Sequence, residues 1–167
     1  SNSIQNLDAN ALFKLAERYG LKGPRFYKKA FSLYKKAAQL GSSDAQNALG
    51  ECYREGEGCR KNFKQANKWF SIAANNGNAD AQLSLGFSCF YGEGVSKNWQ
   101  KAIYWYQRSA NSGHSGGDYN IGRCYYDGTG FKKNYKASLK KFLKAGQSKR
   151  VNALKYLGYH YFFGQGV

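Results

Sequence analysis

The sequence predicts an all-α solenoid of helix-turn-helix repeats, and three observations carry that prediction. Sliding the chain against itself gives a match at a spacing of 36 residues: DAQNALGECYREGEG at 44–58 returns as DAQLSLGFSCFYGEG at 80–94, as GGDYNIGRCYYDGTG at 116–130 and as NALKYLGYHYFFGQG at 152–166. Inside each copy the apolar residues fall at i, i+3, i+4, i+7 and i+8, the spacing of one helix face. Glycine and asparagine recur where such helices must stop and start. A self-match at this period marks stacked supersecondary units, none able to bury its apolar face alone.

Each unit then reads as helix A, a turn, and helix B. The first unit, about 8–43, is the most divergent: Phe13-Lys14 stands where later copies have Leu-Gly, and Pro24 lies in its turn, so it is expected to be the least regular. In the second, 44–79, Ala45, Ala48, Leu49, Cys52 and Tyr53 form the stripe of helix A, and Ala66, Trp69, Phe70, Ala73 and Ala74 that of helix B. Asp44 and Asp80 sit in opening turns, where the helix dipole favours an anion. Helix A closes at Gly56, Gly92, Gly128 and Gly164, a place suited to a left-handed cap. Helix B opens after Asn62, Asn98 and Asn134, among the best N-cap residues, and ends at Gly41, Gly77 and Gly113, with Lys149 in that place in the fourth unit. Helices of about 12 residues span about 18 Å and are marginal alone. The remaining units are 80–115, 116–151 and a partial 152–167, the whole of 4–167 forming one array. Ser1–Ser3 reads as a cloning remnant. The chain stops inside the fifth unit, which reads as an excerpt whose last helix A serves as a cap.

Several chemistries lose their footing on this pattern. The Gly-x-Gly of EGEG follows no strand and recurs in every unit, so it is a helix-ending turn rather than a phosphate loop. Cys52 and Cys124 occupy one repeat position, filled elsewhere by Ala16, Ser88 and His160, which describes a partly buried packing slot. Cys59 falls in a turn and Cys89 stands at a core tyrosine position. Cys52 and Cys59 form the one local pair that a metal or disulfide could use. Only two histidines occur, His114 and His160, and no nucleophile–base set, carboxylate pair or metal triad recurs. The expectation is a non-catalytic protein with no cofactor.

The pattern Asp-Ala-x-x-x-Leu-Gly-x-x-Tyr-x-x-Gly-x-Gly-Val, then Asn-x-x-Lys-Ala-x-x-Trp-Tyr-x-x-Ala, resembles the SEL-one-like repeat (SLR), a relative of the tetratricopeptide repeat. The fullest copy is 80–115, with Leu85, Gly86, Gly92, Gly94, Val95, Ala102, Trp105, Tyr106 and Ala110. The resemblance covers residues 8 to 167. It implies a right-handed α/α superhelical solenoid, with A helices lining the concave face and B helices the convex one. It also implies a scaffold or adaptor role, with the tetratricopeptide groove as the equivalent surface.

On helix A the residues that vary between copies form an i, i+4, i+7 stripe clear of the Leu-Gly seam. It reads Asn47, Glu51, Arg54; Leu83, Phe87, Phe90; Tyr119, Arg123, Tyr126; and Lys155, Tyr159, Phe162. Aromatic and arginine side chains dominate interface hot spots, so the stripe is expected to take a peptide or protein segment with an apolar anchor and flanking carboxylates. The bland alternative is that these rings merely cover the neighbouring unit. A second surface is the cation load of helix B, typified by Lys64, Lys68, Lys101, Arg108, Lys136, Lys140 and Lys144. It reads either as a solvated face or as a ridge for nucleic acid or anionic lipid. With 26 Lys+Arg against 10 Asp+Glu, net charge +16, an acidic partner is favoured. No apolar run is long enough to span a bilayer. Cysteines without metal spacing point to a cytosolic setting; the Lys-, Asn- and Tyr-rich composition resembles that of an AT-rich bacterial or protist genome, and a secreted bacterial or protist factor is the alternative setting. Oligomeric state is open.

Overall fold

The computed structural model describes residues 7–147 and 151–167; Ser1–Ser3 and Lys149 lie outside the described residues. Among the described residues there are nine α-helices and no strand: α1 (Ala9–Gly20), α2 (Tyr27–Gln39), α3 (Ser43–Glu55), α4 (Phe63–Asn75), α5 (Ala79–Tyr91), α6 (Trp99–Asn111), α7 (Ser115–Asp127), α8 (Tyr135–Gln147) and α9 (Val151–Phe162). Odd-numbered helices are the A helices, even-numbered ones the B helices.

The punctuation works through specific hydrogen bonds. Asn62 Oδ1 accepts from the Gln65 N–H at 3.0 Å, Asn98 from Lys101 at 2.9 Å and Asn134 from Ala137 at 2.9 Å, so each B helix starts on an asparagine cap. Helices α3 and α5 are capped two residues before the aspartates: Ser42 Oγ accepts from Ala45 N–H and Asn78 Oδ1 from Ala81 N–H, leaving Asp44 and Asp80 in the first turn. Gly56 (φ 83°) and Gly128 (φ 78°) end α3 and α7 in the left-handed region. The first unit keeps an A-helix cap, Asp8 Oδ1 accepting from the Ala11 N–H at 2.7 Å, but departs after it. Its turn runs through Leu21 and a short 3-10 segment, Pro24–Phe26, and α2 begins without a side-chain cap.

The second glycine of each Gly-x-Gly has another job. Gly58 and Gly166 lie against the backbones of Tyr27–Lys28 and Tyr135–Lys136, closer than any Cβ would allow. The motif that looked like a phosphate loop is therefore a turn with a packing contact built into it.

Contacts divide the chain into two compact units, the described residues of Ser1–Ala81 with Glu93–Val95, and Gln82–Gly92 with Ser96–Val167. In the first, Leu12, Ala16, Leu33, Ala37, Ala38, Ala45 and Leu49 form the core. In the second, one cluster gathers on Cys89, Ala102, Tyr106 and Ile121 and another on Phe142, Ala145 and Ala153.

Within both units hairpins close on one device. The glycine of the Leu-Gly step faces a ring on helix B: Gly50 meets Phe70, Gly86 meets Tyr106 and Gly122 meets Phe142, and a methyl on any of the three would lie 3.0 Å or less from that ring. The rings are 0%, 1% and 0% exposed. One turn before each ring stands a small residue, Ala66, Ala102 or Ser138, also buried.

The shared slot of Ala16, Cys52, Ser88, Cys124 and His160 is buried throughout, at 5% exposure or less, rather than partly so. His160 is tolerated because its ring nitrogens lie 2.6 Å from the Gln165 carbonyl and 3.2 Å from Ser138 Oγ. Two residues from each aspartate comes a further buried polar position. Gln46 donates to the Ala38 carbonyl and accepts from Asn76, and Gln82 accepts from Ser112. At the corresponding place in α7, Asp118 is 2% exposed and takes Lys141 Nζ at 2.8 Å and Lys144 Nζ at 2.9 Å.

Candidate functional site

In the second unit, α5 and α7 present six of the stripe residues, and none is sealed. Leu83, Phe87, Phe90, Tyr119, Arg123 and Tyr126 are all half-buried. Each ring leans on the core and keeps a face outward. Phe87 sits edge-on to Tyr106 at 5.6 Å and beside Tyr91 at 6.4 Å, while Phe90 meets Tyr91 at 5.0 Å. Tyr119 and Tyr126 both pack edge-on against Tyr156, at 6.1 and 5.3 Å. Packing and display are thus both true of these residues, where the sequence offered them as alternatives.

Arg123 is the charged member. It lines a notch of about 10 Å³, room for one water, together with Phe90, Tyr91, Asn120 and Asp127. Burial works to lower its pKa, but a hydrogen bond with the Tyr91 hydroxyl and the nearby hydroxyls of Tyr156 and Tyr119 outweigh it, and the net shift is upward. A guanidinium carries five N–H donors in a planar fork, more than the Tyr91 bond consumes. The arrangement offers a fixed cation framed by aromatic edges, suited to a carboxylate next to an apolar side chain. On α9, Lys155 lies 5.7 Å from the Tyr159 ring, with Tyr159 39% and Phe162 82% exposed.

The stripe of the first unit has another character. Arg54 pairs with Glu51 and with Glu55 on the same helix. Asn47 and Glu51 line a cleft of about 330 Å³ that also gathers Glu17, Asp44, Glu57 and Asp80 beside Phe13 and Tyr34. Five of the chain's 10 carboxylates therefore face one cleft in a chain of net charge +16. Burial first, then Cys52, Glu17 and Glu57, push the Tyr34 hydroxyl up to about 12. The carboxylates are spread too widely for an ion: no group of three or more His, Cys, Asp or Glu among the described residues could hold a metal. Sequence reasoning missed this cleft and the part played by Tyr91. The carboxylates come from three successive repeats, with Asp44, Glu51 and Glu57 in one of them, and only the Asp44/Asp80 repetition hinted at them.

On the B helices, Lys64, Lys68, Lys101, Lys136 and Lys140 are exposed as expected for a ridge. Arg108 and Lys144 are otherwise engaged. Arg108 lies half-buried, 5.4 Å from the Trp105 ring, and Lys144 is held by Asp118. None of the four cysteines is joined to another. Burial pushes Cys52 up to about 12 and Cys124 up to about 11. Cys59 Sγ donates to the Cys52 carbonyl at 3.4 Å, which gives the pair a packing role. No described helix is long and apolar enough to cross a membrane.

The Sel1 repeat family model matches at residues 9–42, 43–78, 79–114, 117–148 and 151–167. The chain belongs to the Sel1 repeat family. A search of the curated proteins gave no match. Among solved structures, a Sel1 repeat protein from Oxalobacter formigenes superposes with TM-score 0.90 at 33% identity, over 96% of this chain and 66% of that one. The protective antigen c5321 of uropathogenic Escherichia coli, described as displaying an SLR fold, gives TM-score 0.86 at 34% identity, over 95% of this chain and 34% of that one. A Sel1 repeat protein from Klebsiella pneumoniae shares the fold at TM-score 0.60 and 20% identity, over 91% of this chain and 77% of that one. This Sel1 repeat chain thus spans less than two thirds of the first two. Its fold class is the α/α repeat solenoid of those structures, and Sel1 repeats in general serve as protein–protein interaction scaffolds.

Proposed function

We propose that this Sel1 repeat chain is a non-catalytic scaffold that binds a protein segment on the A-helix stripe of its second unit. The observation that carries the reading is Arg123, half-buried and tied to Tyr91 amid the outward faces of Phe87, Phe90, Tyr119 and Tyr126. An ordered cation next to aromatic edges costs little entropy to use, which is what makes such residues hot spots. The partner is a short segment in which one apolar or aromatic side chain stands within a few residues of a carboxylate. The net charge of +16 assists its approach. The matching stripe of the first unit, set in a carboxylate-lined cleft, is not the place for such a segment.

Selection of random peptides on the immobilised protein tests this. Enrichment of apolar-plus-Asp/Glu sequences, lost with Arg123→Ala, is the expected outcome. A lysine-rich consensus, or the same consensus from Arg123→Ala, would refute it.

A second reading places nucleic acid or anionic lipid on the B helices, favoured by the exposure of Lys64, Lys68, Lys101, Lys136 and Lys140. It requires affinity that falls steeply with salt and is lost on Lys136→Glu with Lys140→Glu. Absence of binding to duplex DNA and to phosphatidylserine vesicles in low salt would remove it.

A further inference from the structure

The residue after each asparagine cap is aromatic, and the lysine two places before it sets its ammonium beside the ring. Lys61 lies 4.9 Å from the Phe63 ring, Lys97 5.2 Å from Trp99 and Lys133 5.8 Å from Tyr135. Phe63 and Tyr135 are half-buried; Tyr126 and His160 pack against Tyr135 at 5.3 and 6.2 Å. Trp99 is different. It is 42% exposed and borders an open cavity of about 330 Å³ with Lys97, Asn98 and Gln100. The turn ahead of α8 adjoins it: Gln100 Nε2 donates to the Gly130 carbonyl at 3.2 Å, and a Cβ on Gly130 would stand 3.1 Å from the Trp99 Cβ. Two segments of the second unit therefore meet beside the indole, SKNWQK at 96–101 and GTGFKKNYK at 128–136. Together they carry Lys97, Lys101, Lys132, Lys133 and Lys136, all exposed, and no Asp, Glu or Arg.

We propose that Trp99 and the lysines around it form a binding site for single-stranded nucleic acid. One base stacks on the indole, and the phosphates on either side of it meet the ammonium groups. Stacking on an aromatic side chain combined with cations along the backbone is how single strands are held without regard to sequence. A duplex keeps its base faces inside the stack, so an exposed ring favours the single strand. A bilayer calls for a broad apolar helix face, and the neighbours of Trp99 are Asn98, Gln100 and Lys101. Lysine, a point charge without the planar fork of arginine, suits phosphates rather than base edges. The proposal rests on the nucleic-acid reading of the B helices and deepens it, naming the strand and the ring that takes it. It is independent of the Arg123 stripe.

The probe is a dye-labelled oligothymidylate, titrated with the full chain in low salt and followed by fluorescence anisotropy. The same strand annealed to its complement, and phosphatidylserine vesicles, are titrated beside it. Saturable binding is expected, tighter for the single strand than for the duplex. Trp99→Ala is expected to weaken strand binding on the order of tenfold and to leave the slope of log affinity against log salt unchanged. Trp99→Phe, whose smaller ring still stacks while α6 still starts on the Asn98 cap, is expected to keep most of the affinity. Lys97→Glu with Lys133→Glu is expected to flatten the salt slope. Equal strand affinity in wild type and Trp99→Ala, or tighter binding of the duplex than of the strand, would overturn the proposal and leave the lysine ridge standing. Vesicle binding that depends on Trp99, with no binding of the strand, would overturn it in favour of a membrane. No binding of strand, duplex or vesicles by the wild type would remove the ridge reading as well.

Discussion

At the scale of single residues, burial decides most of the chemistry. Asp118 is a carboxylate taken out of water and held by two ammonium groups, at 2.8 and 2.9 Å. Lys144 is 58% exposed, so solvent screens its share, and Lys141, 23% exposed, carries most of the interaction. Asp118→Asn is expected to destabilise the fold by about 1.5–3 kcal/mol, the range for hydrogen bonds to charged groups. A double-mutant cycle with Lys141→Met in urea unfolding measures it. The buried acids give a pH dependence with a definite sign. Cys52 is raised from 9.0 to about 12, Cys124 from 9.0 to about 11 and Tyr34 from 10.0 to about 12, all chiefly by burial. The fold binds these protons more tightly than the unfolded chain. Their contribution is therefore complete below pH 9 and is lost as pH rises from there towards 11–12. Denaturant midpoints are expected to hold between pH 7 and 8 and to fall by pH 10.5. Cys52→Ala, a residue the same slot already accepts at Ala16, is expected to flatten the fall. A midpoint constant to pH 10.5 would contradict it.

At the scale of the element, the helices were legible because their ends are chemical. Asparagine at 62, 98 and 134 and glycine at 56 and 128 act as the spacing implied. Asn98→Ala is expected to cost about 1 kcal/mol, read as a drop in thermal midpoint. What the pattern did not show were contacts that depend on a neighbour. The slot holding Cys52 and His160 is closed because a preceding helix lies over it, which no single-residue pattern encodes. The glycine seam yields a paired expectation. Gly86→Ala drives a methyl into the buried Tyr106 ring and should cost about 1–3 kcal/mol, the range for overpacking. Gly158→Ala, with nothing within 4 Å, should stabilise α9 by up to about 1 kcal/mol through helix propensity. Equal effects at the two glycines would contradict the seam as described.

At the scale of the whole chain, a net charge of +16 bears on stability. Self-repulsion among the cations is screened by salt, so the thermal midpoint is expected to rise between 20 and 200 mM NaCl; a midpoint that fell would place the Asp118 pair and its like above the net charge in importance. The stripe of the second unit was readable in the sequence because variable positions recur at a fixed phase within a fixed period. The acidic cleft of the first unit was not, since Glu17 on α1, Asp44 and Glu51 on α3, Glu57 in the turn after it and Asp80 on α5 meet only on folding. The two stripes differ in charge, carboxylates lining the one and Arg123 standing in the other. The most direct measurement is the affinity of a display-selected peptide for four forms of the chain: wild type, Arg123→Ala, Phe87→Ala, and Lys136→Glu with Lys140→Glu. The expected result is at least a tenfold loss for each of the two stripe variants and an affinity within twofold of wild type for the lysine pair. The reverse order, with binding kept by Arg123→Ala and lost with the lysines, would contradict the account.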